Sequence, residues 1–399
     1  MRKNKTGLIG GIRSVFSVWR QEYINILSDF GVLLILVIAA AAYPLLYGYA
    51  YSTEVLRDAP VALVDLDGTG LSRQLTRMID ATEEMKIKEM PGSLNEAESD
   101  FYKGKVDGVL LIPKGFAANI YKQQQATVSV YCDASYFMNY KQVLQGANYA
   151  AGTLAGQIKV QRAMAHGATL IQAKAQTTPL GLVETPLYNR TGGYGTYVMP
   201  AVLILILQQT LLIGIGMLGG SQREQNSFHF AILKGSTVNS ALTIILGKAG
   251  AYISIYLIHA IYLFGVVFRV FHLPVRSSLP EVLVFIFPMM LAVTFLGLTM
   301  VSWFRKREQS IMFLIFLSIP ILFLSGISWP VESMPAFWRG LAQIIPSTPG
   351  IEGFIKLHQM SATFHQVSRE WFILWVMAFF YFGTAWISFT GIVKKHRRM

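Results

Sequence analysis

Six apolar runs, each close to the roughly 20 helical residues that cross a bilayer core, constrain this chain more than any other feature. They are Gly31–Tyr51, Thr196–Gly219, Ser240–Phe268, Glu281–Trp303, Ser310–Ile327 and Trp371–Val393. Of 399 residues, 53% are hydrophobic and 14% charged, far more apolar than a soluble core requires. Between the first and second runs lies a long stretch, 52–195, with the composition of a soluble domain. The expected architecture is therefore an α-helical polytopic membrane protein of six transmembrane helices with an inserted α+β extracytoplasmic domain.

The formal charge of +12 is explained by its distribution. With the N-terminus inside, the inner segments hold fifteen basic residues: Arg2, Lys3, Lys5, Arg13 and Arg20, then Arg223, Lys234 and Lys248, then Arg305, Lys306 and Arg307, then Lys394, Lys395, Arg397 and Arg398. The two short outer loops hold five, Arg269, Arg276, Arg339, Lys356 and Arg369. The excess places both termini in the cytoplasm and 52–195 outside. That segment carries fourteen basic and fourteen acidic residues, so the positive balance reads as topology and contact with anionic lipid, with no nucleic-acid partner. One cysteine, Cys132, excludes an internal disulfide framework and a cysteine-built metal site. No metal site is expected.

Residues 1–30 precede the first span. Leu8, Ile12, Phe16, Trp19, Tyr23, Leu27 and Phe30 recur at spacings of three or four and make one apolar helical face. With no inner domain to cover that face, the helix is expected to lie in the plane of the membrane. The charged stretch before Gly31 is too long for a cleaved signal peptide.

Segment 52–195 alternates strand and helix patterns. Residues 61–65 and 107–113 read as buried strands, 126–132 as an alternating one and 85–90 as an edge-like one. Helices are expected near 70–82, 94–103 and 114–122, and 137–177 reads as one long helix or a helical hairpin. The first strand runs into Asp65-Leu66-Asp67-Gly68-Thr69, which resembles the nucleophile motif of haloacid dehalogenase-type phosphatases. Such an enzyme also needs a late acidic pair to hold magnesium, since the metal offsets phosphate charge. The sequence offers none, and a strand-to-helix turn capped by Asp67 or Thr69 explains the motif. No catalytic residue is assigned.

The most specific signal is LSGISWPVESMPAFWRGLAQIIPSTPGIEGFIKL, residues 324–357. Prolines interrupt helices here at membrane depth, where broken backbone is tolerated only against protein or a water-filled cavity. Short re-entrant or in-plane helices across 328–369 are expected, with Trp329, Phe337 and Trp338 suited to an interface. This stretch, the order of spans and the large insertion after the first span together resemble the type-2 ABC exporter permeases. The inserted domain resembles that of the multidrug-type members, whose pattern runs Asp65-x-Asp67-Gly68-Thr69-x-Leu71-Ser72 and later Val106-Asp107 through Ile112-Pro113 and Gly115-Phe116.

The resemblance implies roles. Trp329, Pro330, Met334, Pro335, Pro346 and Pro349 would close the outer end of a path. Arg223, Glu224, Phe228, His229 and Phe230 would form a coupling helix docking on an ATPase subunit, although Gln225-Asn226-Ser227 departs from the acidic and Gly-Thr pattern common there. Gln208, Gln209 and His259 are the main polar groups inside the spans and are candidates for the substrate path or for bonds between helices. Gly214, Gly216, Gly219 and Gly220 would admit a close neighbour, in the same subunit or at a dimer seam.

No Gly-x-x-x-x-Gly-Lys-Ser/Thr loop occurs; Gly104-Lys105 and Gly247-Lys248 lack its spacing and hydroxyl. The chain thus carries no cofactor itself; ATP and Mg belong to a separate ATPase in two copies. Further expected partners are a second permease chain, identical or related, membrane lipid and a periplasmic membrane-fusion adaptor. The expected place is the bacterial inner membrane, and the expected function is outward movement of hydrophobic or amphiphilic compounds by alternating access. The alternatives are a non-transporting scaffold or receptor with a partner-binding outer domain, and an ectoenzyme using Asp65 and Asp67.

Overall fold

The structure, a computed structural model, describes residues 5–181, 183–225 and 240–396. In chain order, helix α1 (Lys5–Ser28) leads into α2 (Phe30–Ala50). There follow β1 (Ala59–Asp65), α3 (Gly70–Asp80), β2 (Met85–Glu89), α4 (Leu94–Tyr102), β3 (Gly108–Ile112), α5 (Phe116–Tyr121) and β4 (Ser129–Cys132). Then come α6 (Phe137–Ala165), α7 (Leu170–Thr177), α8 (Tyr194–Glu224) and α9 (Ala241–Val270). The chain ends with α10 (Leu279–Val301), α11 (Arg307–Leu324), α12 (Ala336–Ala342), α13 (Ser347–His358) and α14 (Ser368–His396). Among the described residues six of these, α2, α8, α9, α10, α11 and α14, are long and apolar enough to cross a membrane. Two compact units result: Met1–Glu54 with Pro186–Met399, and Val55–Thr185.

In the helical unit, α8 and α10 are buried along most of their length, whereas α2, α11 and α14 are buried along a third or less. Large side chains such as Tyr252, Tyr256, Phe268, Phe285, Phe354 and Phe389 fill the interior. The glycine run on α8 serves packing within this unit. A Cβ on Gly214 would collide with Leu36 of α2, one on Gly216 with Leu314 of α11, and one on Gly219 with Val301 of α10. At Gly220 a Cβ would meet the Arg307 and Lys306 backbone at 2.9–3.1 Å. Small residues here let helices approach within backbone distance.

Polar side chains fix which helices meet. Lys248 on α9 is 3% exposed and Glu22 on α1 is 2% exposed. Lys248 Nζ donates to the two Glu22 oxygens at 2.6 and 2.7 Å and to Gln222 Oε1 of α8 at 2.8 Å. The Tyr252 hydroxyl donates to Glu22 Oε1 at 2.7 Å. A lone lysine in an apolar helix requires such a counter-charge, and satisfying it decides how α1 sits. The stripe Val18, Glu22 and Ile26 is buried, with Tyr23 Oη 2.6 Å from Ser254 Oγ of α9. Of the apolar face expected from sequence, Ile12, Phe16, Leu27 and Phe30 stay exposed, Trp19 and Tyr23 turn toward α9, and the side chain of Leu8 lies outside the described residues.

Asp29 breaks the run between α1 and α2. Its backbone is extended, and its carboxylate caps α2 by accepting from the Gly31 and Val32 amides, both at 3.1 Å. The Arg307 guanidinium, at the start of α11, grips the same carboxylate with two bonds of 2.7 and 3.0 Å. At the other end of α2, Glu54 caps α8 in the same way: its oxygens accept from the Thr196 amide at 2.9 Å and the Thr196 hydroxyl at 3.0 Å. Glu54 thereby joins the chain leaving α2 to the chain entering α8, on either side of the insertion.

The inserted unit has a four-stranded sheet in the order β2-β1-β3-β4, parallel except for the antiparallel β3–β4 pair. β2 is an edge strand, as its alternating Lys86 and Lys88 imply. One sheet face packs Val61, Leu63, Leu110 and Ile112 against Leu75, Phe116 and Val143; the other packs Ala62, Val64 and Val109 against Ala97. α6 and α7 form a hairpin, turning at Gly167 (φ +89°) with Thr169 and Gln172 in a capping box at the start of α7.

Lys248→Met strands a buried carboxylate and is expected to lower stability by about 3–5 kcal/mol. In the double variant Glu22→Gln with Lys248→Met, most of that loss should return, because the neutral side-chain amide introduced on α1 still accepts from the Tyr252 hydroxyl. Thermal unfolding in detergent checks this, and equal losses in both variants would contradict it.

Candidate functional site

A cleft of about 1040 Å³ lies between α2, α8 and α11. Its wall is mainly aliphatic and aromatic, with Leu34, Tyr47, Val202, Ile213, Ile315 and Ile319 among the lining residues. Near one end stand four tyrosines whose rings follow one another: Tyr47 to Tyr51 at 6.2 Å, Tyr51 to Tyr194 at 5.4 Å and Tyr194 to Tyr197 at 6.4 Å. All four line the cleft, and Tyr197 donates its hydroxyl to the Ile327 carbonyl at 2.7 Å.

The three polar candidates inside the spans separate here. Gln209 lines the cleft, and neither atom of its buried amide has a hydrogen-bond partner. Gln208, about 100° further round the same helix, does not face the cleft. Its Oε1 accepts from the Ser347 amide at 2.8 Å and its Nε2 donates to Ser347 Oγ at 3.0 Å, capping α13. His259 Nε2 donates to the Leu36 carbonyl at 2.9 Å, within the π-turn Leu34–Ala39 of α2. A carbonyl only accepts, so the proton sits on Nε2. Gln208 and His259 thus join helices, whereas Gln209 lines the cleft and leaves its buried amide unpartnered.

The proline-rich segment folds as short helices. Pro330 precedes the 3-10 turn Val331–Ser333, Pro335 the first residue of α12, and Pro346 the first residue of α13; Pro349 sits buried in the first turn of α13, where its missing amide costs nothing. Met334 packs with Leu324 and Ala342, while Trp329, Phe337 and Trp338 are exposed. α13 is clamped to α8 at both ends: Gln208 holds Ser347, and Gln359 Nε2 donates to the Thr196 carbonyl at 2.6 Å. His358 anchors its last turn, Nδ1 lying 2.7 Å from Ser277 Oγ and the ring 5.0 Å from Phe354. Burial pushes the His358 pKa down to about 4, so it stays neutral at physiological pH.

Of the coupling candidates, Arg223 and Glu224 are described and both are engaged. Arg223 Nη1 donates to the Val301 and Ser302 carbonyls at the end of α10, at 3.1 and 2.6 Å. Glu224 Oε2 accepts from the Arg307 amide at 3.4 Å. Phe228, His229 and Phe230 lie outside the described residues.

In the inserted unit the aspartates act as clasps. Asp65 Oδ1 accepts from the Asp67 and Gly68 amides, both at 3.0 Å, and Oδ2 from the Ser72 hydroxyl at 2.7 Å. Asp67 Oδ2 accepts from the Thr69 hydroxyl at 2.6 Å and the Ala117 amide at 3.2 Å, and Oδ1 from the Gly115 amide at 2.9 Å. Gly115 takes φ +81°, a conformation that favours glycine, which aims these amides at Asp67. Asp107 accepts from Asn139 at 2.8 Å. The Asp-x-Asp-Gly-Thr turn and the Ile-Pro-x-Gly-Phe turn are therefore two halves of one lock, and Thr69, not Asp67, caps α3.

The sequence profile of a family described as "ABC-2 family transporter protein" matches residues 30–387, nearly the whole chain. The chain belongs to the ABC-2 family of transporter proteins. Membership makes it the membrane permease of an ABC transporter. It is similar to the "Probable multidrug ABC transporter permease YbhR" of Escherichia coli K12, 21% identical over 335 residues that cover 83% of this chain and 86% of that one. It is also similar to the "Inner membrane transport permease YhhJ" of the same organism, 20% identical over 341 residues covering 84% and 86%.

If the aspartates of this permease are clasps, Asp67→Ala should lower stability by about 1–3 kcal/mol. The Thr69 hydroxyl, followed by the Ala117, Gly115 and Phe116 amides, holds the Asp67 carboxyl below the usual carboxylate range. Its contribution is thus complete above the ordinary carboxylate pKa of about 4 and fades as pH falls through the lowered folded value. Thermal unfolding of wild type and Asp67→Asn across pH 2–6 should show the two curves converging at the acid end; a constant gap would contradict the clasp.

Proposed function

We propose that this permease moves hydrophobic or amphiphilic compounds outward across the bacterial inner membrane, through the cleft between α2, α8 and α11. The observation that carries the reading is the cleft itself, large enough for a drug-sized molecule, apolar along its wall and offering one unpartnered amide at Gln209. A wall of this kind favours apolar surface and orients it with a few polar contacts, the tyrosine hydroxyls and the Gln209 amide among them. The names of the two relatives, one multidrug and one inner-membrane, support the same substrate class and location.

The chain contains no phosphate-binding Gly-Lys-Ser/Thr loop, so ATP and Mg are held by a partner ATPase in two copies. Two permease chains, identical or related, enclose the path, and the exposed apolar faces of α2 and α11 flank the cleft where a second copy would close it. The lysine and arginine bias supports cytoplasmic termini and an extracytoplasmic 55–185 unit, available to a periplasmic adaptor. Exposed Ile12, Phe16 and Leu27 on α1 supply a face for lipid. Trp329, Pro330, Met334, Pro335, Pro346 and Pro349 form the outer gate. Arg223 and Glu224 set the exit of α8, and Phe228, His229 and Phe230 dock on the ATPase. Because Gln208 and Gln359 tie α13 to α8, a movement of α8 driven from its coupling end carries the gate with it, giving alternating access.

ATP-dependent accumulation in inside-out vesicles containing the permease and its purified ATPase tests this, using a panel of amphiphilic compounds. Gln209→Leu should reduce uptake of compounds bearing a hydrogen-bonding group about fivefold to tenfold while sparing purely apolar ones; uniform or absent effects would contradict the cleft assignment. Phe228→Glu should abolish substrate-stimulated ATP hydrolysis, and unaltered stimulation would contradict docking at that position.

A further inference from the structure

A second cavity, of about 520 Å³, lies among α8, the end of α11, α12, α13 and the start of α14. Its chemistry is unlike that of the cleft. Three carboxylates, Glu332, Glu352 and Glu370, and three cations, Arg339, Lys356 and Arg369, line it. Glu370 is 4% exposed; its Oε1 accepts from Lys356 Nζ at 2.9 Å, while its Oε2 is buried with no partner. Thr348 also lines the cavity, is 2% exposed, and leaves its hydroxyl unpartnered. Lys356 is already divided between Glu352, at 2.7 Å, and Glu370.

A buried carboxylate oxygen without a donor is costly, so the cavity calls for a ligand that brings donors to its floor. Arg339 and Arg369, which also line the cavity, are exposed, and among the described residues neither guanidinium forms an ion pair. A ligand with a primary ammonium at one end and a phosphate a few ångströms away meets both needs. The ammonium's three donors suit Glu370 Oε2 and the Thr348 hydroxyl, and the phosphate suits the two arginines. Exposed Trp329, Phe337, Trp338 and Phe323 on the adjoining elements provide an interfacial, acyl-compatible surround.

We propose that this cavity binds the phosphoethanolamine head group of a membrane lipid, anchored by the buried Glu370 and Thr348 and by the exposed Arg339 and Arg369. The site adjoins the transport cleft, with Tyr197 and Ile327 lining both, but its assignment is argued from its own carboxylates and arginines and stands whatever the exported compound is. A quaternary choline head group has the same charge and no N–H, so the floor discriminates against it.

Native mass spectrometry of the full chain, presented with equal amounts of phosphatidylethanolamine, phosphatidylcholine and phosphatidylglycerol, tests the site. About tenfold preferential retention of phosphatidylethanolamine is expected, falling to the phosphatidylcholine level in both Glu370→Gln and Thr348→Val, with unchanged unfolding midpoints certifying the fold. Equal retention of the three lipids would overturn the proposal and leave water as the occupant, and so would a preference that survives in both variants. Free phosphoethanolamine at millimolar concentration separates the sources. Persistence of the bound lipid supports a membrane ligand, and full displacement with stoichiometric binding of the free compound overturns the lipid assignment in favour of a soluble one.

Discussion

A hydrocarbon layer offers no hydrogen-bond partner, and that single constraint organises this permease. It confines the backbone to helices where lipid is met and obliges each polar side chain among them to find a partner inside the protein. Apolar packing between such helices has little directional preference, since lipid tails are as apolar as leucine. The polar pairs supply the direction. Glu22 with Lys248 and Gln222 brings α1, α8 and α9 together, Asp29 with Arg307 brings α2 to α11, Glu54 with Thr196 closes the neck of the insertion, and Gln208 with Ser347 seats α13 on α8. Among the described residues a few buried groups stay unpartnered, and some of them sit beside the two cavities: the Gln209 amide at the cleft, and Glu370 Oε2 and the Thr348 hydroxyl at the second cavity.

Much of the architecture is legible in the sequence because two periodicities carry it. Bilayer-length apolar runs locate the spans, and the short runs at 61–65, 85–90, 107–113 and 126–132 fall on β1, β2, β3 and β4. The buried ion pair is harder to see. Lys248 announces itself as a charge in an apolar run, but its partner lies 226 positions earlier on a helix whose hydrophobic pattern points elsewhere. The usable signal is the spacing Val18, Glu22, Ile26, a carboxylate on an otherwise apolar stripe. Neighbouring Gln208 and Gln209 read alike in sequence and differ only through the helical turn that sends one to Ser347 and the other to the cleft. The aspartate motif carries the same lesson: Asp65 and Asp67 look like a catalytic pair until the Gly115 and Ala117 amides, nearly fifty residues away, are seen to close on Asp67.

These connections make the proline-rich segment a dependent part of the bundle. Its prolines mark where one short helix stops and the next begins, and its glutamine clamps transmit the position of α8. In the proposed mechanism, coupling at one end of α8 and a gate seated along its other half would be linked through that one helix, with the cleft along its side. The inserted α/β unit keeps Asp65, Asp67 and Asp107 occupied internally, in keeping with a structural or docking module in place of a reactive one.

The export mechanism proposed for this permease requires a sidedness in which the insertion lies outside and the coupling segment lies in the cytosol. A single cysteine at the highly exposed Tyr102 of the inserted unit, placed in a Cys132→Ala background, measures it directly. In intact spheroplasts a membrane-impermeant maleimide should label Tyr102→Cys fully, and in sealed inside-out vesicles it should fail to do so. Labelling confined to the inside-out vesicles would place the unit in the cytosol and contradict the export mechanism proposed for this permease.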